Sequence, residues 1–171
     1  MTGKGSGMSD EIETHEGGCT CGHVRYGVRA RPLIVHACHC TWCQRQTGGP
    51  HVINALYETE LVELTRGEVE NVTVPSPSGE GQTIARCPKC RVAVWSHYHI
   101  GGLRESVKFL RVGTLDNPGL MPPDVHIFTS TKLPWYVIPE DHDAVEEFYD
   151  YDTTWSSDSK ARFQTWRGAA D

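Results

Sequence analysis

The segment Cys38-His39-Cys40-Thr41-Trp42-Cys43 constrains this chain more than any other. Three cysteines fall there as C-x-C-x-x-C, with Cys19 and Cys21 upstream and Cys87 and Cys90 downstream, and these are all seven cysteines of the sequence. In a reducing compartment, thiols at such spacing read as metal ligands. An odd count also leaves a disulfide framework one thiol over. Seven divides as four plus three. The outer pairs Cys19, Cys21, Cys87 and Cys90 are expected to make a closed four-thiolate zinc site that holds a fold together. Cys38, Cys40 and Cys43 are expected to hold a second Zn2+ with one position left open, and so to be catalytic as well as metal-binding.

The remaining composition narrows the setting. A chain of 171 residues is expected to form one domain. A net charge of −6 with no basic run gives it no general attraction for nucleic acid. No stretch approaches the ~20 apolar residues of a membrane span, and no basic-then-apolar signal opens the chain, so a cytoplasmic protein is expected. Residues 1–16 are polar and aperiodic and are expected to be a disordered leader.

Short alternating runs then follow one another, separated by glycine and proline. Alternation predicts a strand from Gly17 to Val28 that carries Cys19 and Cys21 on one face. A second, from Leu33, runs into Cys38. Gln44 to Pro50 reads as one helical turn stopped by Gly48, Gly49 and Pro50. Further strands are expected at 51–56, 61–66, 69–74, 83–86, 92–97, 106–113, 125–129 and 135–138, with a hairpin tip at Pro75–Gly81 and a turn at His99–Gly102. The result is an all-β fold of short antiparallel strands. From Glu140 the composition changes. Asp141–Asp150 is expected as a short acidic helix, and Ser156–Trp166 as another with Ser156 or Ser157 as its cap.

The fourth ligand of the three-cysteine site stays open at this level. His36 shares the face of Cys38 and Cys40, His39 points the other way, and His51 or His126 could arrive from elsewhere. Gln44 and Thr47 follow the ligands directly and either bond near the sulfurs or cap the turn. Trp42, Trp95, Tyr98 and Trp135 line a pocket or fill the core. Arg25 and Arg45 receive carboxylates or are simply solvated. Asp116, in the Leu-Asp-Asn-Pro turn, is expected to bond its own backbone.

Gly17-Gly18-Cys19-Thr20-Cys21-Gly22-His23-Val24-Arg25-Tyr26, Cys38-His39-Cys40-Thr41-Trp42-Cys43-Gln44-Arg45-Gln46-Thr47-Gly48, Cys87-Pro88-Lys89-Cys90 and Gly113-Thr114-Leu115-Asp116 together resemble the glutathione-dependent formaldehyde-activating enzyme / centromere protein V family. His126-Ile127-Phe128 and Pro134-Trp135 are similar to it as well, so the resemblance covers about residues 17–139 and leaves 140–171 as a C-terminal extension. It implies a tent-like β fold of the Mss4-like kind stabilised by structural zinc. It also implies a carbon–sulfur lyase that joins glutathione, or another small thiol, to formaldehyde as S-hydroxymethylglutathione. Two other readings remain: a non-enzymatic zinc-binding module that carries glutathione or meets a protein partner, and a related enzyme on another aldehyde or an imine. Arg91 stands where the family usually carries glycine. His97–Gly102 and the extension are not clearly familial.

Overall fold

The computed structural model describes residues 14–100 and 103–170. In chain order it contains β1 (Thr14–Gly18), β2 (Arg25–Arg29), β3 (Ile34–Cys38), α1 (Thr41–Thr47), β4 (Val52–Glu58), β5 (Val62–Arg66), β6 (Glu70–Val74), β7 (Gln82–Arg86), β8 (Ala93–Tyr98), β9 (Val107–Arg111), β10 (Val125–Ile127), β11 (Asp143–Ala144), α2 (Tyr151–Thr154) and α3 (Ser157–Ala170). Strands with few helices dominate, so the expected all-β character holds.

Two sheets divide the strands. The smaller has the order β1-β2-β5 and is antiparallel throughout. The larger has the order β11-β10-β3-β4-β9-β8-β7-β6, antiparallel except at β11-β10-β3. Alternation along β2 turns Tyr26 and Val28 inward, where they pack with Val62 of β5 against Ala55, Tyr57, Trp95 and Leu110 of the larger sheet. Tyr26 meets Trp95 edge-on at 5.9 Å and reaches the Thr114 hydroxyl at 2.7 Å. Gly17 is required beneath it, because a Cβ there would lie 2.4 Å from the tyrosine oxygen. All five residues of β3 are buried, as expected of a strand covered on both faces. Val35 joins the core between the sheets. Ile34 and Cys38 face the opposite side, with Leu56, Phe109, Tyr149, Trp155 and Phe163.

Several expectations change. Cys19 and Cys21 lie in a tight turn, not on a strand: Gly22 N–H bonds Cys19 O at 3.0 Å and Cys19 N–H bonds Val24 O at 3.1 Å. Gly22 sits at φ +70°, which permits a reversal that strand alternation would forbid. β1 begins at Thr14, inside the stretch expected as leader, and residues 1–13 lie outside the described residues. So do Gly101 and Gly102 of the expected turn after His99. The helix after β3 starts at Thr41 with Cys40 as its cap, earlier than expected. Residues 135–138 form no strand, because Pro134 and Pro139 bracket them and Tyr136 N–H closes a turn onto Leu133 O. Residues 141–150 form no helix. Val145 N–H bonds His126 O at 2.9 Å and Phe128 N–H bonds Glu147 O at 2.9 Å, so the segment runs extended beside β10. The last expected helix is present as α3, with the Ser156 hydroxyl accepting from Ser159 N–H at 3.1 Å.

An ion pair ties α3 to the sheet. Arg162 donates from Nε and an η nitrogen to the two Glu58 oxygens at 2.7 and 3.2 Å, and the Glu58 side chain is only 2% exposed.

Candidate metal centres

The β1–β2 turn brings Cys19 and Cys21 to the β7–β8 turn with Cys87 and Cys90, and the four sulfurs lie within 4.8 Å of one another. Four thiolates about 2.3 Å from one zinc at tetrahedral angles stand ~3.8 Å apart. Here Cys19 and Cys21 are 3.5 Å apart and Cys21 and Cys87 3.8 Å. Backbone N–H groups of Val24 and Cys90 point at the Cys19 and Cys87 sulfurs at 3.2 and 3.5 Å. The donor set, its spacing and its amide support fit zinc. Arg91 follows at φ +65°, the left-handed conformation that glycine ordinarily supplies, and it pairs with Glu70.

The second cluster forms where β3 enters α1. Cys38 ends the strand, Cys40 caps the helix and Cys43 lies in its first turn. That geometry folds the three sulfurs to within 4.8 Å of one another. Cys43 N–H points at the Cys40 sulfur at 3.4 Å. Hydrogen bonds from the Cys38 and Cys43 thiols hold Cys40 well below the usual thiol range. Sharing a hydrogen bond with Cys40 and Cys43, together with burial, pushes Cys38 far up. Three buried thiols this close cannot all ionise unless a cation joins them, so this donor set also fits zinc. Among the described residues no histidine stands within ligand distance of the three sulfurs.

A chain of polar side chains supports the cluster from β3, β4 and β9. Buried Arg111 donates to Asn54 Oδ1 at 2.5 Å and to Gln46 Oε1 at 3.4 Å, and Asn54 Nδ2 lies 3.4 Å from His36 Nε2. Burial pulls the Arg111 pKa down and the Cys43 and Cys38 sulfurs oppose it. His36 is held neutral, with its pKa lowered to about 3, by burial and by the Arg111 charge. His39 faces away, its Nε2 2.9 Å from His126 Nδ1, within a ring cluster that also contains His51 and Tyr136.

Cys38, Cys40 and Cys43 form part of the floor of a cavity of about 520 Å³. His36 and Asn54 share the floor, and Leu56, Phe109 and Ile127 form its walls. The roof comes from the extension, as Phe148, Tyr149, Tyr151, Trp155 and Phe163, with Gln164 and Arg167 at its edge.

The other sequence candidates separate cleanly. Tyr98 lines the cavity. Trp95 is core, and Trp42 and Trp135 are exposed and away from it. Gln44 donates to the carbonyls of His39 and Thr131 at 2.7 and 3.0 Å, and Thr47 to that of Cys43 at 2.9 Å, so both brace α1. Arg25 is paired with Asp116 and Glu16, and Asp116 accordingly accepts from Arg25 and not from its own turn. Arg45 is exposed. Sequence reasoning missed Asn54, Arg111 and the roof residues Phe148, Tyr149, Tyr151 and Trp155. The one available signal was aromatic density: six of the chain's fifteen aromatic residues fall between 148 and 166.

No curated protein matches the chain. Among solved structures, a crystal structure of a Rhodobacter sphaeroides protein matches at 16% identity, over 59% of this chain and 87% of that one, with a TM-score of 0.43. A family model described as glutathione-dependent formaldehyde-activating enzyme matches residues 14–131. That match includes both cysteine clusters and spans well over half of the sequence, and the chain belongs to the glutathione-dependent formaldehyde-activating enzyme family.

Proposed function

We propose that this chain is a zinc-dependent carbon–sulfur lyase that joins a small thiol to formaldehyde, and reverses that reaction, at Cys38, Cys40 and Cys43. The observation that carries the reading is the placement of those three sulfurs on the floor of a ligand-sized cavity, with no histidine among the described residues to close the set. The four-cysteine cluster, wedged between two turns at the junction of the sheets, is the structural zinc of a tent-like β fold in this reading. Seven unpaired, clustered thiols also suit a reducing cytoplasmic setting.

A zinc ion on Cys38, Cys40 and Cys43 would supply a Lewis acid that lowers the pKa of an incoming thiol. The chain's own residues do the rest. The cap geometry at Cys40 fixes the three sulfurs on one face. Arg111, through Asn54, places a buried positive charge beside a centre that three thiolates leave negative. The apolar walls exclude water from the adduct. In the reaction the thiol sulfur bonds the formaldehyde carbon as the C=O π bond breaks, and the proton released by sulfur ends on the new hydroxyl. No further co-reactant is needed.

Exchange NMR of a thiol and its hydroxymethyl adduct tests the proposal. Zinc-loaded wild type is expected to accelerate exchange and Cys40→Ser to lose the acceleration while keeping its far-ultraviolet circular dichroism. Equal acceleration by the variant would move the chemistry off this centre.

A further inference from the structure

The family match ends at residue 131, yet the roof of the cavity is built from residues 148–167. The extension is anchored deliberately. β11 pairs with β10, Arg162 grips the buried Glu58 carboxylate, and Trp155 and Phe163 are each less than a tenth exposed. The cavity it closes has the volume of a site for a drug-sized molecule, far larger than formaldehyde requires.

The lining decides what that molecule is. Beside the cysteines, nearly every wall and roof residue is aliphatic or aromatic. Among the described residues the one fixed cation in the lining is Arg167, which leans on the Phe163 ring at 5.9 Å. Arg111 is turned to Asn54 and Gln46 and is not in the lining. Glutathione would bring two carboxylates and an ammonium into this space. An unpaired buried charge is strongly disfavoured, and one edge arginine cannot pair both carboxylates. Glu146, Glu147, Asp150 and Asp152 of the extension are exposed and add no cation to pair them. Three buried polar atoms of lining residues lack a hydrogen-bond partner, His36 Nδ1 on the floor and Tyr149 Oη and Trp155 Nε1 in the roof, and the hydroxyl of a hydroxymethyl adduct needs only one of them.

We infer that the thiol accepted at the three-cysteine centre is an uncharged, apolar one, an alkyl or aryl thiol whose tail fills the chamber under the extension. The inference rests on the proposed thiol chemistry at that centre, and binding and turnover are therefore measured separately.

The test titrates zinc-loaded full-length protein with straight-chain alkanethiols from ethanethiol to hexanethiol, and with glutathione. Binding is followed by tryptophan fluorescence, since Trp155 lines the roof, and adduct exchange by NMR. Affinity is expected to tighten about fourfold per methylene, and glutathione to bind at least about tenfold more weakly than hexanethiol. Phe148 is half exposed, so Phe148→Asp is expected to fold normally and to flatten the chain-length dependence. Chain-length dependence without any accelerated exchange would support the chamber assignment and overturn the lyase reading. Accelerated exchange for glutathione with a flat alkanethiol series would do the reverse.

Discussion

Truncating Arg162 to alanine isolates the contact that keeps the roof in place. Glu58 is 2% exposed and both its oxygens are bonded to Arg162, at 2.7 and 3.2 Å. Removing the guanidinium leaves a buried carboxylate without its cation, a change that ordinarily costs ~3–5 kcal/mol. The arginine side chain is 34% exposed, so water can enter the gap and lower the cost to about 2–3 kcal/mol. The penalty falls on the docking of α3, because β4 keeps its neighbours β3 and β9. Amide exchange should therefore speed up on the order of a hundredfold across Ser157–Ala170 and much less in β3, β4 and β9. The paired replacement Glu58→Leu with Arg162→Leu removes the charge together with its partner and should restore most of the protection. Unchanged exchange in α3 on Arg162→Ala would refute the reasoning, as would a paired variant no better protected than the single one.

Cys19→Ser is expected to lose the fold as well as one zinc, and Cys40→Ser to lose one zinc alone; metal counts with circular dichroism distinguish the two. Arg111→Met should weaken zinc at the three-cysteine centre by roughly 10- to 100-fold in competition with a chelator, since it removes the buried charge and frees Asn54. Burial raises the pKa values of Tyr26, Tyr98 and Tyr149, so these phenols stay neutral in the folded state while the unfolded chain ionises them above about pH 10. Stability should therefore be flat below that pH with respect to these groups and fall as pH rises past it. An absorbance titration at alkaline pH that showed all tyrosines ionising freely before unfolding would count against this.

Much of this was readable in the sequence, because the signals are local. The C-x-C-x-x-C spacing placed three thiols together without knowledge of the sheet. Period-two alternation located most strands of both sheets, and Arg91, where the family usually carries glycine, proves to hold a left-handed backbone. What escaped depends on partners distant in the chain. Asp116 was read as a self-bonded turn residue because its partner, Arg25, is 91 positions away. Cys19 and Cys21 were read onto a strand because Gly22 sets a turn that side-chain alternation does not register. Part of the roof escaped for the same reason: Phe148, Tyr149, Tyr151 and Trp155 follow neither a helical nor a strand period. Their common direction is set by the sheet they cover.

The parallel pairing of β3 with β10 has a consequence for the time order of folding. β3 supplies Cys38, but its neighbour arrives late, and Val35 N–H waits for the Asp124 carboxylate 89 residues downstream. The run β6–β7–β8 closes through short connections and can assemble early. A growing chain therefore holds Cys38, Cys40 and Cys43 uncovered on one side while the later strands are made, and the extension that roofs them is made after those strands. During that interval the thiols are open to oxidation and to the wrong metal. Early capture of zinc would protect the centre before its walls exist.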